Sequence, residues 1–239
     1  MRSSALFFFC LVISASAGAQ YNSSSADKNK ANAATNKIGG HAQLLSHFVE
    51  RGLSMSNGNP ALNASFLFNL GSQVRLGFWG SNVSNLSATD DNFWFKFLGE
   101  FDIRFGSGLQ TSVYVSDNHF YKSDVRNGQR IGALFTYFLY QGTLEWMSNL
   151  EGSKGNAEYL NFGKYFLWGA KFRYGPFVGF TNSHTDVINS YFDARVIGEY
   201  TVSSNTIAET GVSLNFTSDN AVFGKRADPA VWVGVKLTY

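Results

Sequence analysis

From residue 38 to the C-terminus the chain falls into about twelve segments of alternating apolar and polar residues, and the connections between them alternate in length. The segments run over 38–49, 61–70, 73–82, 92–105, 109–117, 130–140, 142–149, 157–167, 169–181, 189–201, 205–216 and 230–239. Every second connection is tight: Gly71-Ser72, Gly106-Ser107-Gly108, Gln141-Gly142, Trp168-Gly169 and Ser203-Ser204. The others are long and polar: Glu50 to Pro60, Ser81 to Asp91, Asn118 to Gln129, Asn149 to Asn156, Asn182 onward, and Thr217 to Pro229. Antiparallel strands joined in this way gather the short turns at one end and the long loops at the other. A two-sheet sandwich has no reason to sort its connections so. A closed transmembrane barrel does, with short periplasmic turns and longer extracellular loops.

The polarity of the alternation fits the same reading. In 92–105, Phe93, Phe95, Phe97, Phe101, Ile103 and Phe105 share one face, while Lys96, Glu100, Asp102 and Arg104 share the other. Ala170, Phe172, Tyr174, Val178 and Phe180 oppose Lys171 and Arg173; Phe192, Ala194, Val196 and Tyr200 oppose Asp193, Arg195 and Glu199. Periodicity alone leaves open whether the apolar face meets a core or lipid. The two ends of the chain decide.

At the start, Arg2 precedes an apolar run from Ala5 to Ile13 and then Ser14-Ala15-Ser16-Ala17-Gly18-Ala19. A charged start, a short apolar stretch and an Ala-x-Ala site predict a secretory signal over 1–19. The run is well short of the roughly 20 residues of a spanning helix. Cys10, the only cysteine, lies inside it, so the exported chain has no disulfide, cysteine metal site or thiol nucleophile. Residues 20–37 are rich in Ser, Asn, Ala and Lys and predict a flexible periplasmic linker. The barrel then occupies 38–239.

At the other end, Val231, Val233, Val235, Leu237 and Tyr239 share a face, and the chain stops on an aromatic. Gly234, Leu237 and Tyr239 resemble the terminal signal read by the barrel-assembly machinery, with Trp232 where a polar residue is commoner. The predicted fold is all-β, a transmembrane antiparallel barrel of about twelve strands in the outer membrane of a Gram-negative bacterium. Its partners are outer-membrane lipid, the assembly machinery and small solutes or ions. With Arg2 removed, 18 basic residues face 17 acidic ones, and no basic cluster points to nucleic acid.

Ser46-His47-Phe48-Val49-Glu50-Arg51-Gly52-Leu53-Ser54, then Pro60-Ala61, then Gly77-Phe78-Trp79-Gly80-Ser81-Asn82-Val83, resembles the opening pattern of the TorF-type porins. These are proteobacterial outer-membrane proteins long classed as conserved hypothetical. Their pattern runs Ser-Asp-Tyr-x-x-Arg-Gly-x-Ser-Gln, Pro-Ala, Gly-x-Trp-x-Ser-Asn-Val. The matching positions are Ser46, Arg51, Gly52, Ser54, Pro60, Ala61, Gly77, Trp79, Ser81, Asn82 and Val83. His47-Phe48 replaces Asp-Tyr, and Met55 replaces Gln. The resemblance covers residues 46–83 and implies an outer-membrane barrel.

Turning the charged faces inward predicts a lumen of Arg75, Lys96, Arg104, Lys171, Arg173, Arg195 and Lys236 against Glu100, Asp102, Glu145, Asp193, Glu199 and Glu209. Seven positive and six negative groups suggest paired charge. Twelve strands lie between a side-chain-filled interior and a wide water channel. The leading expectation is a porin-like channel for passive diffusion through a narrow charged lumen. A non-conducting structural or surface-interaction barrel is the alternative. A lipid-acting enzyme is the weakest reading: Ser183-His184-x-Asp186 sits in or beside an outer loop, adjacent residues on a strand or loop rarely face each other, and nothing resembles a nucleophile elbow. Neither a catalytic residue, a metal site nor a cofactor is predicted. Arg51 and Gly52 open the first long loop, where Arg51 either guards the mouth or pairs with a nearby acid while Gly52 makes a turn.

Overall fold

A computed structural model describes residues 38–84, 91–106, 108–122 and 124–239. The expected signal and linker lie outside them.

The strands are β1 (Ile38–Leu45), β2 (Val49–Glu50), β3 (Leu53–Ser54), β4 (Ala61–Leu70), β5 (Val74–Asn82), β6 (Phe93–Arg104), β7 (Leu109–Phe120), β8 (Gly128–Tyr137), β9 (Tyr140–Met147), β10 (Asn156–Lys164), β11 (Phe166–Trp168), β12 (Phe172–His184), β13 (Tyr191–Ser203), β14 (Thr206–Phe216) and β15 (Ala230–Thr238). β1 pairs antiparallel with β4 on one side and β15 on the other. Neighbours then pair in sequence order, and β10 pairs with β12. Tyr165 interrupts β10 and β11, which both pair with β12 and form one wall strand. The result is a closed antiparallel barrel of twelve wall strands with no free edge among the described residues. Closure satisfies the backbone polar groups that an open edge would leave unpaired in lipid.

The outer wall is apolar. Leu44, Leu62, Leu76, Phe78, Phe97, Val115, Leu160, Val178, Phe192, Val196, Val231 and Val233 are all exposed on it. A soluble barrel would bury such a belt, since a continuous apolar surface of this extent is rare in water. Lys164 shares this face, and its ammonium lies over the rings of Tyr140 and Phe166, at 4.9 and 5.2 Å. It sits beside the short-turn rim, where a long cationic side chain can reach water past apolar neighbours.

One tight connection differs from the sequence expectation. Gln141-Gly142 belongs to β9, and the turn is Phe138-Leu139, with Phe138 at φ 51°. Gly142 faces Phe135 across the strands, and that ring occupies the space a Cβ would take. The glycine serves ring packing rather than chain reversal.

The first long loop also departs from a surface excursion. β2 and β3 pair as a hairpin, Val49 with Ser54 and Glu50 with Leu53. Arg51 and Gly52 stand at its tip with φ 51° and 75°. Two positive φ values in succession belong to the tight turn that matches hairpin twist. Leu53, Met55 and Ser56 are almost wholly buried. The hairpin therefore folds into the barrel, where Arg226 and Glu151 from two other long loops contact it.

Candidate functional site: the infolded hairpin and the charged interior

The hairpin is fixed on its aromatic side by stacking. The Phe48 ring lies 6.0 Å from Trp79 and 6.3 Å from Trp94, and Trp94 stacks on Phe120 at 5.2 Å. The Lys96 ammonium sits over Trp79 and Trp94, 4.4 and 4.6 Å from their centroids, and the Arg130 guanidinium is 4.9 Å from Trp94. Cations over ring faces gain from the ring quadrupole, more so away from water. Hydrogen bonds complete the fold of the loop. The Met55 N–H donates to the Phe48 carbonyl at 2.8 Å, and the Phe48 N–H donates to Ser56 Oγ at 3.0 Å.

Ion pairs hold the tip. Arg51 Nη1 bonds Glu145 Oε1 of β9 at 2.9 Å, and Arg130 Nη1 of β8 bonds Glu50 Oε1 at 2.9 Å. Burial alone would raise the Glu50 pKa, but the Arg130 and Arg51 guanidiniums outweigh it and hold the carboxyl at about 2. At Gly52 an added Cβ would lie 2.5 Å from the Asp193 Cβ, so only glycine lets the tip approach β13 this closely.

The residues that carry the family resemblance converge here. Ser46 Oγ accepts from the Val233 N–H at 3.0 Å and ties the loop's start to β15. The Ser54 carbonyl accepts from Arg226 Nε at 2.9 Å. Asn82 clasps the loop's end: its Nδ2 donates to the Pro60 carbonyl at 2.9 Å, and its Oδ1 accepts from Leu62 N–H at 2.6 Å. Ser81 Oγ donates to Asn63 Oδ1 at 2.5 Å. Trp79, Val83 and Ala61 are buried in the cluster beneath Phe48. At Gly77, the Phe66 carbonyl fills the space of a Cβ. The spaced motif thus encodes the inward hairpin and the wall segment it rests on.

Along the inner wall, charge is paired. Arg75 Nη2 contacts Glu100 at 2.8 Å and Asp102 at 3.0 Å. Arg173 Nε meets Glu199 at 2.5 Å, and Glu199 also accepts from the Tyr165 hydroxyl at 3.2 Å. Arg195 Nε is 3.2 Å from Asp193, and its Nη2 donates to the Tyr159 hydroxyl at 3.0 Å. Glu209 accepts from Trp232 Nε1 at 2.6 Å and from Gln43 Nε2 at 3.2 Å. The inward Trp232 therefore has a specific partner, which accounts for an aromatic in place of a polar residue. Glu145 also accepts from the Tyr114 hydroxyl. Lys96 and Lys236 are buried. Arg104, at the end of β6, and Lys171, in the turn before β12, are exposed at the short-turn rim rather than enclosed. Between hairpin and wall lies a small pocket open to solvent, lined in part by His41, Gln43, Glu50, Arg51, Arg195 and Glu209.

The loops add residues that carry no periodic signal. Glu151, in the loop after β9, pairs with Arg51, Arg126 and Arg226 from three other loops. Sequence reasoning passes over Arg126, Arg226 and Glu151, because contacts between distant loops leave no local pattern. Ser183 and His184 bond other groups rather than each other. Ser183 Oγ donates to the Ile188 carbonyl at 2.5 Å, while His184 Nε2 is 2.6 Å from Glu158.

Comparison with known proteins places the fold. No family model matches the chain, and no curated protein sequence does. Among solved structures, the chain is similar to the KdgM porin with a TM-score of 0.55 and 9% identity, covering 84% of this chain and 99% of that one. A structure of KdgM porin in complex with disordered oligogalacturonate matches with a TM-score of 0.54 and 10% identity, over 84% of this chain and 98% of that one. The NanC porin matches with a TM-score of 0.54 and 7% identity, over 83% and 98%. At these identities the likeness is one of fold: a closed barrel of the porin kind.

Proposed function

We propose that the protein is an outer-membrane channel of narrow bore, passing small solutes or ions by passive diffusion, with the 46–59 hairpin setting the bore. The observation that carries this reading is the infolded hairpin held inside a polar, charged interior while the outer wall is apolar. A barrel that served only as a wall has no need of charged inward faces. Buried charge is costly unless paired, and apolar packing would stabilise a closed interior at least as well.

In this reading the long loops face outward from the cell and the short turns face the periplasm. The chain reaches the membrane through its signal and linker, and Gly234, Leu237 and Tyr239 present β15 to the assembly machinery. The lumen is lined by Arg75, Lys96, Glu100, Asp102, Glu145, Arg173, Asp193, Arg195, Glu199, Glu209 and Lys236, with Arg104 and Lys171 at the periplasmic rim. The resemblance to TorF-type porins supports it, since the shared residues are those that build the hairpin and its seat. The KdgM neighbour, whose structure was determined with oligogalacturonate, supports transport of small solutes by this architecture without naming the solute.

The test is single-channel conductance of the refolded protein in a planar bilayer, beside a variant in which residues 47–58 are replaced by a short Gly-Ser linker. Discrete small steps in the intact protein, enlarged several-fold in the variant, are the expected result. Heat-modifiable folded barrels that conduct in neither form would overturn the channel reading and favour a structural or surface-binding barrel.

A further inference from the structure

Three arginines from three loops converge on one carboxylate at the long-loop end. Arg226 Nη1 lies 2.9 Å from Glu151 and Arg51 Nη2 lies 3.7 Å from it, and Arg126 completes the set. All four side chains are 4–5% exposed. The arginines have other anchors. Arg51 bonds Glu145 and lies near Glu50, Arg226 donates to the Ser54 carbonyl, and the Arg126 guanidinium lies 5.2 Å from the Phe120 ring centroid. The cup is therefore held in shape by contacts that do not involve Glu151.

Two further observations bear on what the cup is for. A small pocket open to solvent adjoins it, and its charged lining residues are Arg51, Arg126, Arg130 and Glu151. Three cations there face one carboxylate. Glu151 itself has φ 52° and ψ 27°, a left-handed conformation that a glutamate adopts only when its surroundings impose it. A carboxylate is thus delivered, at a cost in backbone strain, into a cup of guanidiniums whose forked donors suit carboxylate and phosphate oxygens.

We propose that this cup is a binding site for small anionic solutes carrying a carboxylate or phosphate, and that Glu151 occupies it as an internal stand-in. An incoming oxyanion takes the place of the Glu151 carboxylate on Arg51, Arg126 and Arg226, and the strained loop swings clear. The inference deepens the channel reading and rests on it for its meaning in transport, but binding is measurable without conductance.

The experiment is calorimetric titration of the folded full barrel in detergent with inorganic phosphate and with citrate, against chloride at matched ionic strength. The variant is Glu151→Gly, because glycine adopts the left-handed conformation freely. Removing a tethered competitor is expected to tighten binding by about tenfold or more. Adding Arg226→Gln to that variant is expected to abolish the gain. Phosphate and citrate are told apart by which shows the larger gain. If Glu151→Gly folds but binds no tighter than the parent, or if the gain survives loss of Arg226, the proposal fails. Should the variant fold only when phosphate or citrate is present, the anion has replaced the missing carboxylate and the proposal stands; folding in neither anion overturns it. Conductance without a binding gain removes the site and leaves the channel, whereas a binding gain without conductance does the reverse.

Discussion

Gly52 shows how much a single residue decides here. It combines φ 75° with contact against Asp193, so Gly52→Ala adds both backbone strain and a Cβ where another Cβ already lies 2.5 Å away. Strain of this kind costs on the order of 1–3 kcal/mol. Because the tip is a small part of the barrel, the cost is expected to push the hairpin off β13 rather than unfold the wall. Gly52→Ala should therefore give larger, noisier conductance steps with little change in the temperature at which the barrel loses its heat-modifiable band. Unchanged steps would mean that the tip does not limit the bore. Trp232 makes the complementary case. Trp232→Phe removes the donor to Glu209 while leaving Gln43 in place. A charged acceptor losing one buried donor is expected to cost roughly 1–3 kcal/mol, read as a lower midpoint in denaturant. Residue roles of this type were only partly legible. The sequence suggested that Gly52 turns the chain and that Arg51 pairs with an acid, but the acid on β9 is 94 positions away. Gly142 was misleading for the opposite reason. Glycine signals both a turn and a place for a neighbouring ring, and periodicity does not separate the two.

At the scale of elements, the wall strands were legible because each repeats one constraint, an outward apolar face and an inward polar one, over eight to thirteen residues. The hairpin was not, because β2 and β3 have two residues each and no room for a period. Their inward placement is written in scattered partners: Phe48 on Trp79, Asn82 on Pro60, Arg226 on Ser54. The hairpin also carries a prediction about acid. Glu50 has an ordinary pKa of 4.5 when free of its partners and about 2 beside Arg130 and Arg51. A depressed carboxylate stabilises the infolded state fully above the higher value, and that contribution is lost as the pH falls toward the lower one. Conductance steps are thus expected to enlarge reversibly as the pH drops from about 4.5 toward about 2. Glu50→Gln should show the enlarged steps at neutral pH and a flatter acid response. Constant step size through that window in the parent protein would show that the Glu50 pairs do not hold the hairpin.

For the whole molecule, the question is which solvent the outer wall meets, and the same substitution answers it differently in the two cases. Val178 lies mid-strand in β12, 60% exposed, with Val196 on the next strand also outward. On a soluble protein, a charge placed at so exposed a position would change stability by no more than about 0.5 kcal/mol. On a wall in contact with hydrocarbon, an arginine near the bilayer midplane costs about 2–4 kcal/mol, falling to about 0–1 kcal/mol near the interface. Val178→Arg is therefore expected to be strongly destabilising in lipid vesicles. Val231→Arg, at the long-loop end of β15, should be much milder although Val231 is 64% exposed. Reversible denaturant unfolding in vesicles reads both. Depth rather than exposure should rank the costs. The opposite ranking, or two negligible costs, would mean that the apolar belt is covered by something other than a bilayer, and the membrane assignment would have to be given up with it.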